Sequence, residues 1–161
     1  MRAKLKLITG RSNGMGYERR KEVLHQTIRG WVNYFKLADA KKYLEKMDEW
    51  LRRRIRMCIW KSWKKPRTRV KNLVKCGIKP YMAYQWGNSS RGYWRVAGSA
   101  VMQRAASSDN LRKAGYPCLM DYYVKLHCTM KNRRMPNGTY GGVRGRKTKV
   151  GRKLSFSSYS I

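Results

Sequence analysis

Acidic residues are scarce in this chain: 8 Asp and Glu stand against 39 Lys and Arg in 161 residues, a formal net charge of +31. That scarcity excludes a surface of balanced ion pairs, and the excess lies far beyond the charge of about 2–8 that keeps a small domain soluble. A compact state carrying it repels itself unless a polyanion neutralises it. A nucleic-acid backbone does so, and the released counterions add affinity. Converging carboxylates for a two-metal site are missing as well. Asp48 and Glu49 adjoin but point to different sides of a helix, and His25 has no nucleophile pattern near it, so no catalytic constellation is expected.

Long apolar runs are also missing. None approaches the roughly 20 residues of a spanning helix and the N-terminus has no signal-type segment, so the protein reads as soluble and intracellular rather than membrane-bound. The four cysteines, Cys58, Cys76, Cys118 and Cys128, stand singly without C-x-x-C pairs, which reads as reduced, structural thiols. His127 beside Cys128 lacks the second pair a zinc site needs, so no metal or cofactor is expected. Proline is sparse too, at four residues. With 42% hydrophobic residues, six Trp and eleven Tyr, the chain is too apolar to stay unfolded, and its length suits one domain with tails.

The segment LITGRSNGMG reads as a loop. A helix is predicted from Tyr17 to about Phe35, with Leu24, Ile28, Trp31 and Phe35 as its buried stripe and a close helix crossing at Gly30. Asp39 is the expected N-cap of a long second helix reaching about Trp63. On it Leu44, Met47, Leu51, Ile55, Cys58 and Ile59 share one face, while Arg53, Arg56, Trp60 and Lys64 share the opposite one. Pro66 opens a third helix closed by Gly77, and Pro80 a fourth carrying Tyr81, Tyr84 and Trp86 to about Gly87. A turn is expected in NSSRGYWR, then short helices capped by Ser99 and Asp109, the second closed by Gly115, and a last helix from Pro117 to about His127. No alternating run or fixed-period repeat is evident, so the expected class is all-α: a small helical bundle over 1–80, a short-helix extension over 81–128, and a disordered basic Gly/Ser/Arg-rich tail over 129–161.

The run DEWLRRRIRMCIWKSWKKPRTRVK crowds cations around three tryptophans. Arg52, Arg53, Arg56, Lys64, Lys65, Arg67 and Arg69 are the expected phosphate contacts, guanidinium as a bidentate fork and ammonium as a point charge. Trp60 on that basic face suits stacking on an unpaired base, the alternative being that it packs against a neighbouring helix. Trp50 and Trp63 flank the apolar stripe and read as core or rim. Arg91, Tyr93, Trp94 and Arg95 form a second candidate RNA grip near the predicted turn, unless Trp94 closes the core.

Three stretches carry a resemblance: IRGWVNYFKLADAKKYLEKMDEWLRRRIRMCIWKSWKKPRTR, AYQWGNSSRGYWRVAGSAVMQRAASSDNLRKAGYP and CLMDYYVKLH, in that order. Over roughly residues 2–127 the chain resembles the C-terminal maturase-specific, or X/thumb, region of bacterial group II intron-encoded reverse transcriptases. The resemblance implies a helical domain of a bacterial cytoplasmic protein that helps bind intron RNA and the template-primer duplex, in RNA splicing and retrohoming. The polymerase carboxylates of a YADD-type motif are absent, so the chain is not expected to polymerise, and it reads as the product of a truncated or split reading frame. These features together read as an RNA-binding maturase domain. The alternatives are a thumb fragment that needs a polymerase palm supplied in trans and a generic basic protein of ribosomal type.

Overall fold

The computed structural model describes residues 1–35, 40–131, 146–150 and 153–157. Met1–Tyr123 form one unit and Val124–Ile161 a second. The described residues form nine helices: α1 (Arg2–Ile8), α2 (Tyr17–Tyr34), α3 (Lys41–Ser62), α4 (Pro66–Lys75), α5 (Pro80–Gly87), α6 (Tyr93–Ala97), α7 (Ala100–Ala105), α8 (Ser108–Lys113) and α9 (Leu119–Lys131). The first unit is all-α, as the sequence predicts. In the second, β1 (Arg146–Val150) pairs antiparallel with β2 (Lys153–Ser157), with Thr148 opposite Ser155. The expectation of an unstructured tail therefore meets one short ladder, and the rest of 132–161 lies outside the described residues.

Helix α1 corrects the expected loop, which starts only at Thr9. Seven residues are too few for a stable isolated helix. Two anchors hold it: Leu5 and Ile8 are buried, and side chains from elsewhere take its last carbonyls. The Arg54 guanidinium donates to Lys6 O at 3.0 Å and to Thr9 O at 2.9 Å, and Asn13 Nδ2 donates to Ile8 O at 2.7 Å.

In α2 the buried stripe runs Arg20, Leu24, Ile28, Val32, in steps of four. Trp31 and Phe35 are displaced from the predicted stripe and stack on each other at 4.6 Å, with Tyr34 and Tyr43 beside them. The close crossing predicted at Gly30 is absent: a Cβ there meets nothing within 4 Å. The tight crossing is between α4 and α5 instead, where a Cβ on Gly87 would lie 2.5 Å from Val70 Cγ2. Gly77 and Gly115 adopt positive φ, 81° and 84°, where they end α4 and α8.

Helix α3 runs through the middle of the first unit. Leu44, Met47, Leu51, Ile55 and Cys58 are buried as predicted, but so are Met57 and Trp60. Met57 and Cys58 pack on Ala97 of α6, with Tyr93 against them. The expected cap Asp39 lies outside the described residues, and Ala40 occupies the N-cap position. Ser99 caps α7 as predicted, accepting from Met102 N at 3.3 Å. For α8 the cap is Ser107, whose Oγ accepts from Asn110 N at 3.2 Å, and Asp109 sits in the first turn, a correction to the expected cap.

The start of α9 has an unexpected cap. Asp48, 2% exposed on α3, accepts from Leu119 N at 2.8 Å, from Met120 N at 3.0 Å and from the Cys118 thiol at 2.8 Å. Its carboxylate satisfies two free amides of the first turn, where the helix dipole favours negative charge. Burial, then the bond to Asp48, pushes the Cys118 thiol above its ordinary pKa.

Candidate nucleic-acid interface

A helix rich in arginine needs acceptors, and with few acids available the acceptors here are backbone carbonyls. Arg53 donates to Trp94 O at 3.2 Å, in the first turn of α6. Arg56 donates to Ala106 O at 2.8 Å, just past the end of α7, and Arg54 closes α1 as described above. Arg69 donates to Trp63 O at 3.0 Å, just past the end of α3. Arg54, Arg56 and Arg69 each meet the negative end of a helix dipole and satisfy a carbonyl that the helix leaves open. Burial lowers the pKa of both Arg54 and Arg56, and for Arg56 the neighbouring Arg52 adds to the effect.

The predicted arginine-and-indole ridge is therefore not a free outer face, and three of its members are corrected. Trp60 is 1% exposed, with the Arg69 guanidinium 5.0 Å above its ring and Trp63 5.9 Å away. It is core rather than a stacking platform. Periodicity places it opposite Leu51, but α6 packs on α3 and Arg69 of α4 lies over the indole, so this side of the helix is covered as well. Arg53 lies against Gly98, where a Cβ would sit 2.7 Å from Nη2, and stacks 4.3 Å from Trp94. Arg56 is half-buried on its carbonyl.

The remaining predicted residues divide by environment. Arg52 is held 3.6 Å from Asp48 and 3.5 Å from the Cys118 sulfur. Tyr93 is half-buried against the core, its ring under the Arg11 guanidinium at 5.6 Å. Trp94 is 40% exposed. The predicted turn around Tyr93, Trp94 and Arg95 is the start of α6. Arg91 is exposed and stacks 4.9 Å from Trp86. Lys64, Lys65, Arg67 and Arg95 are exposed, and no carboxylate among the described residues pairs with any of them. Arg19, Lys21, Arg52 and Arg112 do pair with acids.

Sequence reading missed a second cationic feature. The loop of residues 9–16 and the end of α3 enclose a cleft of roughly 330 Å³, lined by Arg11, Arg20, Lys61 and Lys64 among others. Arg11 and Lys61 carried a charge signal, but Arg11 sits in a loop without periodicity, and nothing marked that this loop would meet Lys61 at the end of α3.

The absence of a spanning helix among the described residues agrees with the apolar pattern of the sequence. Comparison with curated proteins found no match. Residues 1–77, a little under half of the chain, match the family model described as group II intron, maturase-specific domain. That segment runs from α1 through α4 and includes the central helix with its carbonyl-bound arginines. Over residues 1–77 this protein is thus similar to the group II intron, maturase-specific domain family.

Proposed function

We propose that the protein binds the structured RNA of a group II intron and holds it in its splicing-active fold, with the transesterification chemistry left to the RNA. The observation that supports this most directly is the exposed trio Lys64, Lys65 and Arg67 at the junction of α3 and α4, inside the family segment and without carboxylate partners among the described residues. Cations held apart from acids are available to phosphates, and such contacts position an RNA rather than read its sequence. Arg91, Arg95 and the exposed side of Trp94 add charge and a ring outside the matched segment. Arg53, Arg56 and Trp60 contribute instead by keeping the scaffold rigid.

The test compares binding of intron RNA and of an unrelated structured RNA of equal size over a range of salt. Replacing Lys64, Lys65 and Arg67 together with Ala is expected to lower the log–log salt slope by about 2–3 units, at just under one unit per phosphate contact. The same variant should lose stimulation of intron splicing. An unchanged slope, or equal affinity for both RNAs, rejects the reading.

A further inference from the structure

The cleft beside the loop of residues 9–16 is built rather than incidental. Asn13 holds the loop from within, donating to Leu7 O at 3.1 Å and to Ile8 O at 2.7 Å while its Oδ1 accepts from Met15 N at 3.2 Å. Gly14 turns the chain at φ 65°, which an L side chain rarely adopts. Arg20 braces it from beneath, reaching Met15 O at 2.8 Å, Asn13 Oδ1 at 3.3 Å and Ile8 O at 3.4 Å. From the far wall the Lys61 ammonium donates to Arg11 O, and Tyr17 hydrogen-bonds Ser62 across the cleft.

The charge inside is one-sided. Arg20 is 7% exposed, and its three acceptors are neutral carbonyl or amide oxygens. A guanidinium this buried ordinarily has an anion near it. Arg11, Lys61 and Lys64 line the same cleft, no carboxylate does, and none of the four cations forms an ion pair among the described residues. The guanidinium of Arg11 has no hydrogen-bond acceptor among the described residues, only the face of Tyr93.

We propose that this cleft is a phosphate-binding site, in which Arg11, Lys61 and Lys64 grip one phosphate group over the buried charge of Arg20. Charge-assisted bonds from a guanidinium fork and two ammonium groups suit a tetrahedral oxyanion, and the braced loop costs little ordering on binding. The inference rests on the RNA-binding reading only for the source of the phosphate, an RNA backbone or a nucleotide end. The site itself follows from the cleft.

The test follows the backbone amide resonances of Gly14 and Gly16 in the full chain. Titrants are inorganic phosphate, a uridine dinucleotide whose only phosphate is an internal diester, and uridine monophosphate. Saturable shifts at these two glycines are expected, with sulfate competing. Arg11→Met and Lys64→Met should each weaken phosphate roughly tenfold, whereas Lys71→Met, an exposed α4 charge outside the cleft, should change it less than about twofold. Saturation by the diester assigns the backbone, and saturation by the monoesters alone assigns an end. Shifts spread evenly over the basic surface, or equal effects of Lys64→Met and Lys71→Met, overturn the proposal. Phosphate saturating the cleft in a chain that binds no intron RNA would uphold the site while removing the reading above.

Discussion

Asp48 offers the sharpest test of how this protein holds together. Its carboxylate is buried and takes the first amides of α9 from a position on α3 more than 70 residues earlier in the chain. Asp48→Ala removes the acceptor for Leu119 N, Met120 N and the Cys118 thiol together, and strips Arg52 of its anion. Loss of a helix cap costs about 1–2 kcal/mol, and removing one partner of a fully buried charge pair about 3–5 kcal/mol. The Arg52 side chain keeps 27% of its exposure, so water softens the second effect. A loss of about 3 kcal/mol is expected, a large share of the roughly 5–15 kcal/mol that holds a domain folded. Urea denaturation followed by far-ultraviolet circular dichroism measures it, and amide hydrogen exchange at Leu119 and Met120 localises it. Asp48→Asn keeps an acceptor oxygen but not the charge, and should lose about half as much. Should Asp48→Ala stay within about 0.5 kcal/mol of the parent, or leave both amides equally protected, the carboxylate does not cap α9.

Trp60→Ala is expected to cost about 3–5 kcal/mol through the cavity it leaves, read as a fall in the thermal midpoint; an unchanged midpoint with weakened RNA binding would restore the platform reading. Arg56→Ala strands the Ala106 carbonyl and should cost about 1–2 kcal/mol with little change in the salt slope of RNA binding, the reverse of the Lys64, Lys65 and Arg67 variant. Tyr116 carries a buried hydroxyl with no hydrogen-bond partner among the described residues, so Tyr116→Phe should leave stability unchanged or raise it by up to about 1 kcal/mol at neutral pH. Burial pushes the Tyr116 phenol up from 10.0 to about 12, so the unfolded chain ionises first and this stability is lost as pH rises from 10.0 towards about 12. A rise of that size corresponds to roughly 2–3 kcal/mol at most. Between neutral pH and about pH 11 the urea midpoint should therefore fall further for the parent than for the Phe variant, and an equal fall in both would show that the phenol has no such role.

The helices from Tyr17 to Gly87 were legible because each carries its own signals: a stripe at helical spacing, proline at Pro66 and Pro80, glycine at Gly77. Helix α1 was not, since only Leu5 and Ile8 mark it and its closing contacts come from Arg54 on α3. The α9 cap was equally hidden, because a capping residue sought beside the helix was found instead on α3. At the candidate interface, the exposed lysines at 64 and 65 fell where charge and the following proline put them, while the cleft of Arg11 and Lys61 needed two segments about 50 residues apart to meet.

The order of residues by itself determined the charge and the helical class, since these depend on composition and on periods within single segments. It also placed Trp60 on the basic side of α3, correctly as an angle. Only the tertiary structure decided that this side is covered by α6 and by Arg69 of α4, that Arg53, Arg54 and Arg56 end on the carbonyls of other helices, and that a buried Arg20 lines a cleft with no carboxylate in its walls. A helix's period tells which residues share a face, but what covers that face is set by chain segments the period does not contain.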